Sequence, residues 1–296
     1  MPDFPIVDAH VHVYDPTRID YPWMREVPGL DEVHGPSRFL AATAEIDVEA
    51  FVFVEVDAAR GAELDEARFV ATELAPRSTR LRGIVGSLPL EDGAEAIAAD
   101  LAEFAALPLA RGVRRLLQSH LDEPGWALAE PFVEAVRSLA ALDLSFDLCL
   151  RHPQLGEATE LVRRCPEVRF VLDHIGKPDI RAGLVEPWRS ELAALAREPN
   201  VHCKISGVAT EADHASWRRE ELVPYVAHAI ECFGFERVMF GGDWPVAALA
   251  TDYARWVDVV DHVVAGASTE ERRALYRDNA IAFYRLDPPP VPNVAG

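Results

Sequence analysis

Eight short apolar, β-branched-rich runs recur along the 296-residue chain, at positions 6–13, 50–56, 81–87, 109–116, 144–150, 168–173, 201–206 and 237–241. Most do not alternate apolar with polar residues, as expected of parallel strands covered on both faces. Segments with helical spacing lie between them. Leu64, Ala67, Ala71 and Leu74 share one face, and Pro131 opens a helix backed by Phe132, Val136 and Leu139. Trp188, Leu192 and Leu195 form another stripe. Leu222, Val226, Ile230 and Phe233 form the next, stopped by Gly234, and Tyr253, Trp256, Val260 and Val263 run on to Gly266. Strand and helix alternating eight times over predict an α/β protein, a (β/α)8 TIM barrel. The competing architecture, a doubly wound open sheet, lacks its usual GxGxxG turn after any strand.

No Ser/Gly-rich linker or charge block divides the chain. It reads as one domain over 1–296, with a Pro-rich, frayed tail at 288–296. One irregular stretch, 14–35, follows the first strand. It carries Pro16, Pro22 and Pro28 beside Tyr14, Tyr21 and Trp23, and its length and aromatics predict a packed lid.

Composition removes several classes of function. With 49 acidic against 29 basic residues the net charge is −20, a field that repels nucleic acid and anionic membrane surfaces. The four cysteines (Cys149, Cys165, Cys203 and Cys232) form no CxxC pair, and two of them fall in apolar runs. That usage suits free thiols in a reducing cytosol. No secretory leader and no membrane-length apolar window is present, so a cytoplasmic location is expected.

In such barrels the reactive groups stand at the C-terminal ends of strands. The first run reads Ile-Val-Asp-Ala-His-Val-His-Val, and residues two apart on a strand share a face. His10 and His12 should therefore point one way, with Ala9, Val11 and Val13 pointing the other. The other run ends offer Glu55 and Asp57; Arg111, Arg114 and Gln118; Asp147, Arg151 and His152; Asp173, His174 and Lys177; Lys204 and Ser206; and finally Gly241-Gly242-Asp243-Trp244-Pro245. Singly, each has a plain structural explanation, such as a helix cap or a surface group. Asp243 is harder to dismiss, because two glycines bring its backbone close to something at a crowded bend. The conjunction carries the argument: HxH on the first strand, His174 after the sixth and Asp243 after the eighth.

This arrangement resembles the amidohydrolase superfamily, and within it the TIM-barrel sugar-lactonase branch. The matching blocks are Val7-Asp8-Ala9-His10-Val11-His12, Arg111-Gly112-Val113-Arg114, Asp173-His174-Ile175-Gly176-Lys177-Pro178, Cys203-Lys204-Ile205-Ser206-Gly207 and Phe240-Gly241-Gly242-Asp243-Trp244-Pro245. The superfamily pattern also puts a lysine bridge or glutamate on the fourth strand. Arginines stand there instead, which argues against a binuclear metal site.

Opening a lactone needs an activated water, a polarised carbonyl and a proton for the departing alkoxide. Asp243 is the expected base and then acid, with His174 orienting the water or holding the oxyanion. His10, His12 and Asp243 could hold one Zn²⁺ or Mn²⁺, with His152, Glu55 or His174 as a fourth ligand. In metal-independent relatives, the resemblance implies, the same two histidines donate to the carbonyl directly. Arg114, Arg151, Lys177 and Trp244 are the candidate substrate contacts, and the mixture suits a neutral, hydroxylated small-molecule lactone. The anionic product would leave with the help of the chain's negative field. Two alternatives stay open on the sequence: a mononuclear-metal decarboxylase of a muconate-type acid on the same barrel, and a non-enzymatic binding module.

Overall fold

The computed structural model describes residues 2–286; the tail at 288–296 lies outside them. Eight parallel strands form one sheet in sequential order: β1 (Ile6–Val11), β2 (Val48–Val54), β3 (Leu81–Gly86), β4 (Ala110–Leu116), β5 (Ser145–Cys149), β6 (Phe170–Leu172), β7 (Val201–Ile205) and β8 (Val238–Phe240). Each lies within an apolar run read from the sequence or within two residues of it. Helices cross between them, among them α1 (Pro36–Ala42), α2 (Glu63–Phe69), α3 (Ala98–Ala106), α4 (Glu130–Ser138), α5 (Leu155–Arg164), α6 (Trp188–Leu195), α7 (Arg219–Phe233) and α8 (Tyr253–Val263). This is a (β/α)8 barrel. Local chemistry sets the helix ends: Pro131 sits in the first turn of α4, and the Asp252 carboxylate accepts from the Arg255 N–H to cap α8. None of the described helices is long and apolar enough to cross a membrane.

The barrel closes at one seam. Asp243 N donates to His10 O at 2.8 Å and His12 N donates to Trp244 O at 2.8 Å, joining the β8 end to β1. The backbone that shuts the barrel is thus the backbone that presents His10, His12 and Asp243.

Two apolar clusters divide the core. The larger lies between sheet and helices, and the smaller joins Val7, Ala9, Val52, Val54, Val85, Val171 and Met239 inside the barrel. Helices α9 (Thr269–Arg273) and α10 (Asn279–Tyr284) end the described chain, and Phe283 and Tyr284 of α10 join the inner cluster. The expected facing of β1 needs one correction. Val11 and Val13 pack outward, but Ala9 belongs to the inner cluster, because the register slips between Asp8 and Val11. A bulge in the strand breaks the simple two-residue period.

The stretch 14–35 is packed as expected. Tyr14 and His34 exchange backbone hydrogen bonds at 2.9 and 3.0 Å, the Tyr14 hydroxyl donates to Leu30 O, and Trp23 Nε1 donates to Val56 O. Tyr14 and Tyr21 are buried.

Candidate active site

The site is assembled by Asp8 and two glycines. The Asp8 carboxylate, fully buried, accepts from His10 N at 2.9 Å, from Gly242 N at 2.8 Å and from the Tyr253 hydroxyl at 2.8 Å. It therefore ties β1, the β8 loop and α8 together. Burial pushes its pKa up to about 7 against those three hydrogen bonds. A side chain at Gly242 has no room: a Cβ there would come within 2.5 Å of Asp8 Oδ2. Gly207, at φ +61°, is equally constrained, since its Cβ would meet His174 Nδ1 at 2.4 Å and Asp243 Oδ2 at 2.9 Å. His174 and Asp243 are themselves held in the left-handed region, at φ +52° and +54°. Each such residue costs about 1–3 kcal/mol, which the surrounding packing must over-determine.

These constraints bring together the four side chains singled out in the sequence. Asp243 Oδ1 lies 3.4 Å from His12 Nε2, 3.7 Å from His10 Nε2 and 3.9 Å from His174 Nε2. His10 Nε2 and His12 Nε2 are 3.2 Å apart. His12 Nδ1 stands 2.8 Å from Val54 O, and a carbonyl only accepts, so Nδ1 carries the proton and Nε2 offers its lone pair to the site. His174 Nδ1 pairs with the Ser206 hydroxyl at 2.9 Å. Burial lowers His174 to about 4, and burial together with Lys204 lowers His10 against the pull of Asp173. Burial alone would raise Asp243, but the neighbouring His174, His12 and His10 rings outweigh it and hold it below the usual carboxylate range. The site is thus an ionised Asp243 carboxylate ringed by the His10, His12 and His174 side chains.

Beneath it runs a charged network in the barrel interior. Lys204 Nζ is fully buried and reaches Asp147 Oδ2 at 2.6 Å, Asp173 Oδ1 at 3.0 Å and His10 Nδ1 at 3.2 Å. Arg114 donates through Nε and Nη2 to Glu55, both at 2.6 Å, and Nη1 lies 3.3 Å from Asp173 Oδ2. The Tyr284 hydroxyl closes the floor by donating to Asp147 Oδ2 at 2.7 Å.

The remaining sequence candidates fall in distinct places. Arg114 is buried and committed to Glu55 and Asp173. Arg151 is half-exposed at the rim, with Nη1 3.6 Å from Glu211 Oε2. Lys177 Nζ donates to Gln118 Oε1 at 2.6 Å. Trp244 is buried against His34 and Phe39, at ring separations of 5.3 and 5.5 Å. Glu55 is tied to Arg114, and His152 makes no contact with the imidazole cluster among the interactions described. Lys204, Asp147 and Asp173 showed in the sequence only as polar residues at run ends. Tyr284 and Glu211 carried no signal there.

The donor set fits a divalent metal ion. One ligand atom each from His10, His174 and Asp243 lie within 4.8 Å of one another. The separations of 3.2, 3.4 and 3.7 Å among His10, His12 and Asp243 bracket the edge of about 3.4 Å that bonds of roughly 2.1 Å give a tetrahedron. The lone pair of His12 Nε2 faces a carboxylate oxygen, and two acceptors so close need a proton or a cation between them.

Fold and site together define a (β/α)8 barrel with a histidine–aspartate cluster at the C-terminal ends of its strands. The chain belongs to the amidohydrolase family, whose profile matches residues 7–286. It is 32% identical to an L-fucono-1,5-lactonase of Burkholderia ambifaria, covering 96% of each chain. It is 22% identical to an L-rhamnono-gamma-lactonase of Scheffersomyces stipitis, over 97% of this chain and all of that one. Among solved structures, a Burkholderia multivorans amidohydrolase with bound zinc superimposes with a TM-score of 0.86 at 30% identity, covering 96% of this chain and 100% of that one.

Proposed function

We propose that the chain hydrolyses a sugar-derived lactone and that Asp243 carries both proton transfers of ring opening. The observation that supports this best is Asp243 Oδ1 within 3.9 Å of three imidazole Nε2 atoms. The kinship with an L-fucono-1,5-lactonase and an L-rhamnono-gamma-lactonase gives the substrate class.

The ionised Asp243 takes a proton from water as the water oxygen bonds to the ring carbonyl carbon. Charge then develops on the carbonyl oxygen, beside His174 and His10. When the bond from carbon to ring oxygen breaks, the protonated Asp243 returns its proton to the leaving alkoxide, giving the open hydroxy acid. Ser206 holds the His174 ring and Lys204 holds the His10 ring, so neither needs to reorient during the reaction. His10, His12 and Asp243, joined by His174, would hold a divalent ion such as zinc. Such an ion lowers the pKa of a water to about 7 and polarises a carbonyl. Lys177, Arg151 and Trp244 border the substrate, while Arg114 serves by holding Glu55 and Asp173 in place.

A decarboxylase would need a free cation to clamp a substrate carboxylate. Of the cations nearest the cluster, Arg114 and Lys204 are committed to buried carboxylates and Lys177 donates to Gln118. The test is Asp243→Asn assayed on aldonolactones, with and without prior chelation. Turnover should fall by about 10²–10⁴ in a folded variant. Near-normal turnover rejects the role of Asp243, and full activity of metal-free protein rejects the ligand role of the histidines.

A further inference from the structure

Glu211 ends the short turn Val208–Glu211 that follows β7. That turn begins at Gly207, where a Cβ would lie 2.9 Å from Asp243 Oδ2, so the segment bearing Glu211 starts in contact with the reactive carboxylate. The Glu211 side chain is only 13% exposed, yet among the described residues no hydrogen bond is donated to its carboxylate. Its nearest cation, Arg151 Nη1, stands off at 3.6 Å, beyond hydrogen-bond reach. Such acceptors are ordinarily filled. Here they face a cavity of about 500 Å³ at the barrel mouth, shared with Arg151, Asp179, Arg181 and Thr210. Burial raises the Glu211 pKa, with Lys177 and Arg151 opposing and Asp243 adding to the rise.

We propose that Glu211 determines substrate specificity: its carboxylate accepts hydrogen bonds from hydroxyls of the bound lactone and repels lactones that bear a free carboxylate at that end. The chemistry is direct. A largely buried carboxylate whose oxygens open onto a cavity accepts hydroxyl donors, a charged hydrogen bond being worth roughly a 10- to 100-fold change in affinity. A second anion placed against Glu211 meets like charge at that point, although Arg151 and Arg181 share the lining with Asp179. Glu211 thus favours neutral polyhydroxylated lactones at this end of the mouth. This inference rests on the lactonase reading.

The test compares wild type with Glu211→Ala and Glu211→Gln on three kinds of probe: an aldonolactone, its single-deoxy analogues and the matching aldarolactone with a free carboxylate. For the aldonolactone, KM should rise about 10- to 100-fold in Glu211→Ala and less in Glu211→Gln, whose amide oxygen still accepts, while kcat stays within about threefold. One deoxy analogue should show no such penalty, because it lacks the hydroxyl concerned. The aldarolactone should gain about tenfold in kcat/KM in Glu211→Gln. Equal losses on every probe, a loss confined to kcat, or no change overturns the role of Glu211 while leaving the lactonase reading intact. A wild type inactive on all probes overturns that reading and this inference with it.

Discussion

Replacing Lys204 by methionine keeps most of the side-chain volume and removes one buried charge. The consequences can be worked from its partners. Asp173 keeps Arg114 Nη1 at 3.3 Å, but Asp147 keeps only the Tyr284 hydroxyl at 2.7 Å. One buried carboxylate is thus left without a cation. Removing one partner of a buried pair costs about 3–5 kcal/mol, which at roughly 2–4 °C per kcal/mol lowers the melting temperature by about 6–20 °C. The penalty should depend on pH. In the wild type, burial already pushes Asp147 up to about 6, with Lys204 the chief restraint. Without Lys204 it rises further, so the folded state holds a proton that the unfolded chain releases above about pH 4. Stability then falls as pH rises through the folded pKa, and the deficit is smaller at pH 5 than at pH 8. Adding Asp147→Asn removes the stranded charge while leaving Tyr284 an amide oxygen to donate to. The double variant should recover most of the loss and show little of this pH dependence. Urea unfolding of wild type and the two variants at pH 5 and pH 8 measures all of this. Lys204→Met within about 1 kcal/mol of wild type at pH 8, or a double variant weaker than the single one, refutes the reasoning.

Three further outcomes follow from particular contacts. Gly207→Ala places a Cβ 2.4 Å from His174 Nδ1 at a left-handed φ; it should cost about 2–4 kcal/mol in chemical denaturation and at least about 10²-fold in turnover, by displacing His174. His202 packs its ring 4.8 Å from Phe283, and burial lowers it to about 4, aided by Arg237 and Arg169. The unfolded chain therefore binds the extra proton between about pH 6.5 and 4, and stability is lost as pH falls through that window. His202→Leu should lessen the loss between pH 7.5 and pH 5 by about 2 kcal/mol, and an unchanged acid limb in unfolding curves rejects the assignment. Arg114→Lys cannot reproduce the two donations to Glu55 at 2.6 Å. It should destabilise by about 1.5–3 kcal/mol despite the retained charge, as differential scanning calorimetry would read.

Much of this molecule is visible in the order of its residues, for physical reasons. Parallel strands covered on both faces must be apolar throughout, so 50–56, 81–87 and 144–150 stand out without any alignment. Their C-terminal ends are where a barrel exposes backbone, so His10, His12, His174 and Asp243 could be singled out from different parts of the chain. The failures have equally definite causes. Ala9 turns inward because β1 bulges, and a bulge leaves no mark in a hydrophobicity pattern. Arg114 read as a substrate contact because its sequence neighbours do not reveal that Glu55, 59 positions away, occupies its donors. Tyr284 lies 137 positions from Asp147 and reads as ordinary helix packing. Glu211 sits in a loop without periodicity. Pairings set by barrel closure are long-range, and local pattern carries no information about them.

The same closure explains why so costly an arrangement persists. Left-handed backbone at His174 and Asp243 and two buried cations among four carboxylates each oppose folding when taken alone. The strands, however, must converge at the seam where His10 O accepts from Asp243 N. Once they do, Glu55, Asp147 and Asp173 lie within ion-pair reach of Arg114 or Lys204, and Asp8 is held by two backbone N–H groups and the Tyr253 hydroxyl. Asp243 faces imidazoles instead, as the proton-transfer role proposed for it requires. The interior cations hold Asp147, Asp173 and Glu55, and Asp243, held below the usual carboxylate range, stays ionised among the imidazoles.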